Sequence, residues 1–276
     1  MGSDLNDYIR PLGGSDFIDG KKGTDTVFVF WPSSKFNIVT LQGTTYLDAV
    51  SGASRSDKLV LRNVEAIEFS DKVVSLEIAD VYVSTASKDN FDGGPGVDTV
   101  TYAGKASEYI VKPDGTGIEV SSVNFSEGSD WLLSIERLQF KNSKLALDVA
   151  NGPVADGAKL MGALLGPAFV KDKALAGIVI GLMDQNYSAE FVATLGLATP
   201  LYLGMAGSSS HVDFVKHVFT NVVGRQPLAN ELNQYVGMLE NGSATQASLA
   251  VMAANTDLNA ARIDLVGLIQ HGWEFV

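Results

Sequence analysis

The chain of 276 residues holds no cysteine, three histidines, and 20 basic side chains against 32 acidic ones. Without cysteine there is no disulfide framework, no Cys-ligated zinc or iron–sulfur cluster and no thiol nucleophile. The histidines are His211, His217 and His271. None shows H-x-x-x-H spacing, and the six-residue gap between the first two puts them on different helix faces, so zinc finds no ligand set. A net charge of −12 leaves no basic stripe for nucleic acid and no polybasic patch for an anionic membrane. Long apolar runs are missing too. The longest, Ala174 to Met183, would span about 15 Å as a helix against a hydrocarbon core of about 30 Å. It reads as a buried helix. Residues 1–30 carry no basic stretch followed by an apolar one, so no secretory signal peptide is expected.

What is present is enough apolar surface to fold, with 46% hydrophobic and 19% charged residues. Composition changes near residue 150. Residues 1–150 are rich in Asp, Ser, Thr, Val and Phe and hold 22 acids against 14 bases, a net of −8. Residues 151–276 are dominated by Ala, Leu, Gly and Val at helical spacing and carry the remaining −4. Asn151-Gly152-Pro153 is a breaker cluster between them. The expected fold class is α+β as two domains, a β-rich 1–150 followed by an all-α bundle over 151–276.

In the helical half, Ser210 with Asp213 predicts a capping box that opens a helix with Val212, Val215, Phe219 and Val222 on one face. Gly224 ends it, and Pro227 starts the next at its first turn. Glu240-Asn241-Gly242 reads as a stop, and Ser243 with Gln246 as a second capping box. A final helix from about Leu258 is expected to bury Ile263, Val266, Leu268 and Trp273.

The β half repeats itself. Asp16-Phe17-Ile18-Asp19-Gly20 matches Asp89-Asn90-Phe91-Asp92-Gly93, and Gly23-Thr24-Asp25-Thr26-Val27 matches Gly96-Val97-Asp98-Thr99-Val100, both offset by 73. Asn63 to Phe69 matches Ser134 to Phe140 at an offset of 71. Two units follow, about 4–77 and 78–150. Each opens on a nine-residue rhythm, Asp7, Asp16, Asp25 and then Asp80, Asp89, Asp98, with an apolar residue two places after each aspartate. Alternation in the remainder predicts ordinary strands around Phe36, Ile38 and Thr40, around Leu59 and Leu61, and around Ile67 and Phe69.

These nonapeptides, best formed at Gly20–Phe28 and Gly93–Thr101, resemble the glycine-rich repeats of RTX proteins, G-G-x-G-x-D-x-U-x with U apolar. The resemblance implies a parallel β-roll in which each repeat is a half-turn and stacked aspartates hold Ca²⁺. It makes Asp7, Asp16, Asp19, Asp25, Asp89, Asp92 and Asp98 the candidate calcium ligands. It sets Asp7 with Asp25 on one side of the roll and Asp16 opposite, and likewise Asp80 with Asp98 and Asp89 opposite. Leu5 and Ser87 stand where glycine belongs, and Lys21 and Lys22 bring positive charge into the most regular loop of the first unit. The alternative reading is a set of metal-free turns in which Asp and Gly serve backbone geometry. Phe214 to Pro227, with Tyr235, Leu239, Asn241-Gly242-Ser243 and Asp264 to Leu268, resembles a helical domain of unknown function found in RTX-like extracellular proteins. Together these resemblances imply type I export without a cleaved leader and an extracellular or cell-surface location.

No catalytic constellation is assigned. Ser54 lacks the second glycine of a nucleophile elbow. Asp57, Glu65, Glu68, Asp130 and Glu136 read as solvated strand faces. The glycine-rich loops lack the Gly-Lys-Ser/Thr of a phosphate cradle. The expected function is a non-catalytic structural, adhesive or assembly protein stabilised by calcium, with a protein partner or self-association through the helical domain. The alternative is a carbohydrate-binding module or carbohydrate-active enzyme that meets surface polysaccharide through Trp31 or Trp131.

Overall fold

Period-two alternation of apolar residues, broken by Asp, Asn and Gly, sets the strands of the N-terminal region. The computed structural model describes residues 2–11, 14–41, 44–50, 58–76, 79–94, 96–124, 128–185 and 187–276. Ser54 and Asp57 lie outside these described residues. The first repeat supplies β1 (Tyr8–Ile9), β2 (Ser15–Asp19), β3 (Thr26–Val29), β4 (Phe36–Leu41), β5 (Thr44–Ala49), β6 (Lys58–Arg62), β7 (Ala66–Phe69) and β8 (Val73–Ser75). The second supplies β9 (Val81–Val83), β10 (Asn90–Asp92), β11 (Thr99–Thr101), β12 (Tyr109–Asp114), β13 (Gly117–Ser122), β14 (Ser129–Leu133), β15 (Arg137–Gln139) and β16 (Lys144–Ala146).

Two compact units form, Met1–Thr101 with Asp114–Glu136, and Tyr102–Pro113 with Arg137–Val276. In the first unit, successive nine-residue segments enter two different sheets. β1 pairs parallel with β3, which lies eighteen residues on, and β3 pairs parallel with β7. β2, between them in sequence, instead pairs parallel with β6 in a sheet ordered β2-β6-β5-β4. Ile18, Leu47, Leu59 and Leu61 of one sheet and Val27, Val29, Ile67 and Phe69 of the other make the shared core. The second repeat reproduces the start of this pattern, with β9 parallel to β11 and β10 parallel to β14.

The duplication extends to backbone angles. Lys21 (φ 78°) and Gly94 (φ 72°) occupy equivalent left-handed positions, as do Asn63 and Ser134, both at φ 50°. Lys21 carries a side chain where L residues are uncommon, and its N–H is held by Asp19 Oδ1 at 3.1 Å.

In the second unit, the helices are α1 (Pro153–Leu165), α2 (Lys173–Asp184), α3 (Ala189–Leu197), α4 (Pro200–Ala206), α5 (His211–Val223), α6 (Ala229–Glu240), α7 (Gln246–Ala254), α8 (Asp257–Arg262) and α9 (Leu265–His271). The C-terminal region is therefore helical, apart from a closing strand, β17 (Trp273–Phe275), that pairs antiparallel with β16. Its core runs from Val154, Leu160 and Ile180 through Phe214 and Val218 to Trp273.

Several local expectations are corrected. Ser210 does cap α5, accepting from Asp213 N–H at 3.1 Å, and Gly224 (φ 86°) does end it. The buried stripe, however, is Phe214, Val215, Val218 and Val222, while Val212 is exposed. Pro227 precedes the α6 N-cap Leu228 and does not open the helix. Thr245, not Ser243, caps α7, where it accepts from Ser248 N–H. The expected final helix is two short ones, because Ile263 and Asp264 break the run, and Asp264 adopts φ 55°. Val266 is consequently exposed, and Trp273 is buried in a strand, donating from Nε1 to Val170 O at 2.7 Å.

Candidate functional site

Five of the six aspartates of the nine-residue rhythm, all but Asp16, immediately precede a short strand, and the N–H of each points toward the next layer. The next layer answers with a carboxylate. Asp7 N–H donates to Asp25 Oδ1 at 2.7 Å, and Asp25 N–H donates to the Glu65 carboxylate. Backbone bonds flank these contacts, from Thr26 N–H to Asp7 O at 2.8 Å and from Glu65 N–H to Asp25 O at 3.0 Å. The second repeat builds the same ladder. Asp80 N–H donates to Asp98 Oδ1 at 2.6 Å, and Asp98 N–H to Glu136 Oε2 at 2.9 Å. A third instance joins Asp89 N–H to Asp130 Oδ1 at 3.0 Å.

Burial raises the pKa of Asp25, Glu65, Asp80 and Asp98, since it penalises the charged form more than the hydrogen bonds favour it. Glu65, 5% exposed, is pushed up to about 7 by burial, with repulsion from Asp25 and Asp80 adding to it. Asp98 is also pushed up to about 7, by burial first and then by Glu136, Asp80 and Asp92. Burial likewise raises Asp25 and Asp80. Glu65 and Asp130 are therefore not the solvated strand-face acids expected from the sequence; both are buried acceptors. The available signal was the recurrence of an acid in Asn63-Val64-Glu65 and Ser134-Ile135-Glu136.

The other calcium candidates are held locally. Asp7 accepts from Ser3 N–H and from Ser3 Oγ at 3.1 Å, and Asp89 Oδ2 accepts from Thr85 N–H and Oγ1, both at 2.8 Å. Asp19 Oδ1 accepts from Asn63 Nδ2 at 2.8 Å, and Asp92 Oδ1 from Gly94 N–H at 3.3 Å. Asp16 starts into the other sheet, away from the Asp7–Asp25 step, with Oδ2 buried and without a hydrogen bond.

Calcium needs six to eight oxygens. Among the described residues no three His, Asp or Glu side chains gather to hold a metal. Asp25 Oδ2 and Asp98 Oδ2 are buried without a hydrogen bond, yet they face the backbone of Gly20 and Gly93. A Cβ on Gly20 would lie 2.2 Å from Asp25 Oδ2 and 1.9 Å from Asn63 O; on Gly93 it would lie 2.5 Å from Asp98 Oδ2 and 2.2 Å from Ser134 O. These contacts require glycine at positions 20 and 93. The carboxylates that accept backbone N–H groups here serve the turns.

The helical unit offers a different feature. An apolar groove of about 290 Å³ runs between α5, α6, α7 and α8, lined by Phe214, Val218, Phe219, Tyr235, Met252 and Leu258 among others. Arg225 stacks over Phe219 at 5.2 Å and is held by two 2.7 Å bonds to Glu231, whose pKa drops to about 2 under that guanidinium. His217 is a packing residue, with Nε2 at 2.7 Å from Leu164 O and 3.1 Å from Asn221 Nδ2. No single helix among the described residues is long and apolar enough to cross a membrane.

Comparison with known proteins bears on the same segment. Residues 202–262 match the family model of a domain of unknown function, DUF4214. This interval contains the groove and most of the motif that suggested a helical domain of unknown function. No curated protein matches the chain. Among solved structures, the extracellular lipase LipA from Serratia marcescens aligns at 11% identity and a TM-score of 0.21. The alignment covers 49% of this chain and only 37% of the lipase. A likeness of that score carries no argument about fold or activity.

Proposed function

We propose that the chain is a non-catalytic, exported bacterial protein whose helical unit docks a partner protein at a surface assembly, with RTX-like β-roll turns as its scaffold. The observation that carries this reading is the α5–α8 groove. Its lining is apolar on four helices, and Met252 (48% exposed) and Leu258 (56% exposed) stand open at it. Exposed side chains of this size grouped at a concave site mark interaction surfaces, whereas scattered ones need no explanation. The occupant expected is an apolar helix face, the ligand that suits a groove between helices. The absence of cysteine supports a chain that is exported unfolded and folds outside.

Expression in a bacterial host with a type I export channel tests the reading. The wild-type chain should remain with the cell surface, and Met252→Asp with Leu258→Asp should release it to the medium with unchanged circular dichroism. Equal retention of both rejects docking through the groove, and absence of both from surface and medium rejects export.

A second reading, contact with surface polysaccharide, is favoured by Phe30 and Trp31. Both are exposed, and their rings meet edge to face at 5.8 Å. Trp131 suits this role less, because it is half-buried and packs over Gly117. Quenching of tryptophan fluorescence by soluble surface polysaccharide, lost in Trp31→Ala, is the outcome this reading requires.

A further inference from the structure

The solvent face of the β2-β6-β5-β4 sheet carries apolar side chains in one register line. Phe17 pairs with Val60, Val60 with Tyr46, and Tyr46 with Val39. The line crosses all four strands at about 4.8 Å per step. Phe17 is 56% exposed, Tyr46 41% and Val39 57%, whereas the alternate residues Ile18, Leu47, Leu59 and Leu61 fill the core. A sheet with one face in water normally turns polar side chains outward.

The flanking rows are charged. On one side Asp48 of β5 lies opposite Lys58 of β6, with Nζ and Oδ1 3.2 Å apart and both side chains more than half exposed. On the other side Arg62 of β6 lies opposite Asp19 of β2. The apolar line and the Asp48–Lys58 row are complementary to themselves under one symmetry operation, which sets Arg62 opposite Thr44. A two-fold axis along the strand direction, between β5 and β6, sets Lys58 of one copy opposite Asp48 of the other, and Asp48 opposite Lys58. The same operation lays Val60 on Tyr46 and Phe17 on Val39. The other in-plane two-fold, at right angles to the strands, would set Lys58 on Arg62, a like-charge contact. Isologous pairing demands a self-complementary patch, and opposed charges fix the register while like charges exclude the wrong one.

We infer that this sheet face is a homodimer surface, in which a second copy of the chain packs face to face about the axis between β5 and β6. The inference does not depend on the helical groove, which lies in the other unit.

Sedimentation equilibrium of the full chain tests it. The wild type should show a concentration-dependent monomer–dimer equilibrium. Lys58→Asp presents acids at both positions 48 and 58, and Asp48→Lys presents bases at both; each alone should dimerise about ten- to a hundredfold more weakly. An equimolar mixture of the two should recover the dimer, because each acid then meets a base across the axis, as should the chain carrying both exchanges. All three sites are exposed strand positions, so unchanged circular dichroism is expected and separates loss of contact from loss of fold. Tyr46→Glu should abolish the dimer. A wild type that stays monomeric at its highest soluble concentration overturns the inference. So does a dimer insensitive to Lys58→Asp and Tyr46→Glu, or one lost instead in Met252→Asp with Leu258→Asp, which would place self-association in the groove. Failure of the mixture to recover the dimer overturns the proposed axis.

Discussion

Asp25 and Glu65 clasp each other through backbone and side chain at once. Asp25 N–H donates to the Glu65 carboxylate, while Glu65 N–H donates to Asp25 O at 3.0 Å. Asp98 and Glu136 repeat the clasp, with distances of 2.9 and 3.2 Å. The parallel strands here are only two to four residues long and supply few ladder bonds of their own. Carboxylates take over the task of satisfying buried N–H groups at the turns, where an unmet donor would be costly.

If the aspartates act as acceptors, the amide should replace them and the methyl group should not. Asp98→Asn is expected to unfold within about 1 kcal/mol of wild type, because its carbonyl can accept from Asp80 N–H. Asp98→Ala leaves that donor unmet and should cost about 1–3 kcal/mol. Asp25→Ala should cost a similar amount through Asp7 N–H. Urea denaturation of the four chains reads this directly, and equal loss in Ala and Asn variants would remove the acceptor role.

The same burial gives the first unit an inverted acid response. Glu65 and Asp98 have folded-state pKa values near 7, above their ordinary values of 4.5 and 3.8. The folded state therefore binds more protons than the unfolded state between about pH 4 and 7, and its stability falls as pH rises through that window. These two groups should make no further difference above it. Glu65→Gln retains an acceptor for Asp25 N–H without the charge, and should flatten the slope between pH 5 and 7. Thermal melts across that range check the sign; a midpoint that rises with pH and is unaltered in Glu65→Gln would refute it.

Calcium should have little effect on these turns. A calorimetric melt with and without CaCl₂ is expected to give the same midpoint, because the oxygens of Asp7, Asp19, Asp89 and Asp92 already accept local donors. A raised midpoint accompanied by bound metal would show that the loops rearrange around the ion.

Much of the arrangement was legible in the sequence, because it rests on period. The resemblance of the nine-residue rhythm to RTX repeats implied Asp7 with Asp25 on one side and Asp16 opposite, and β1 does pair with β3 and β2 with β6. The offsets of 73 and 71 located two equivalent units. What the ladder binds was not legible, since an aspartate can turn its oxygens to an ion or to a neighbouring N–H without any change in spacing. Glu65 was misread for a related reason. It lies in the turn just before β7, where burial follows no period. Trp273 was given to a helix because local pattern continues past Asp264, whereas pairing with β16, more than a hundred residues earlier, is a tertiary fact.

Arg137 marks where the two repeats diverge. The equivalent position in the first repeat is Ala66, half-buried and uncharged, while Arg137 is buried and binds both Asp148 and Asp184 of α2. Burying a guanidinium is tolerable only with such partners, and the bonds to both carboxylates hold its pKa above the ordinary value despite desolvation. Removing one side of a buried ion pair typically costs about 3–5 kcal/mol, because the remaining charge is left uncompensated. Asp148 and Asp184 are partly exposed, so water screens them and Arg137→Met should fall toward the lower end of that range. Adding Asp148→Asn and Asp184→Asn to Arg137→Met should then restore most of the loss, since no uncompensated charge remains. Arg137→Lys should restore less than the native residue does, because an ammonium cannot present the planar fork that meets two carboxylates together. Urea unfolding followed by the helical circular dichroism signal distinguishes these outcomes. If the triple variant is no more stable than Arg137→Met alone, the loss lies in packing of the arginine stem and the charges have no share in it.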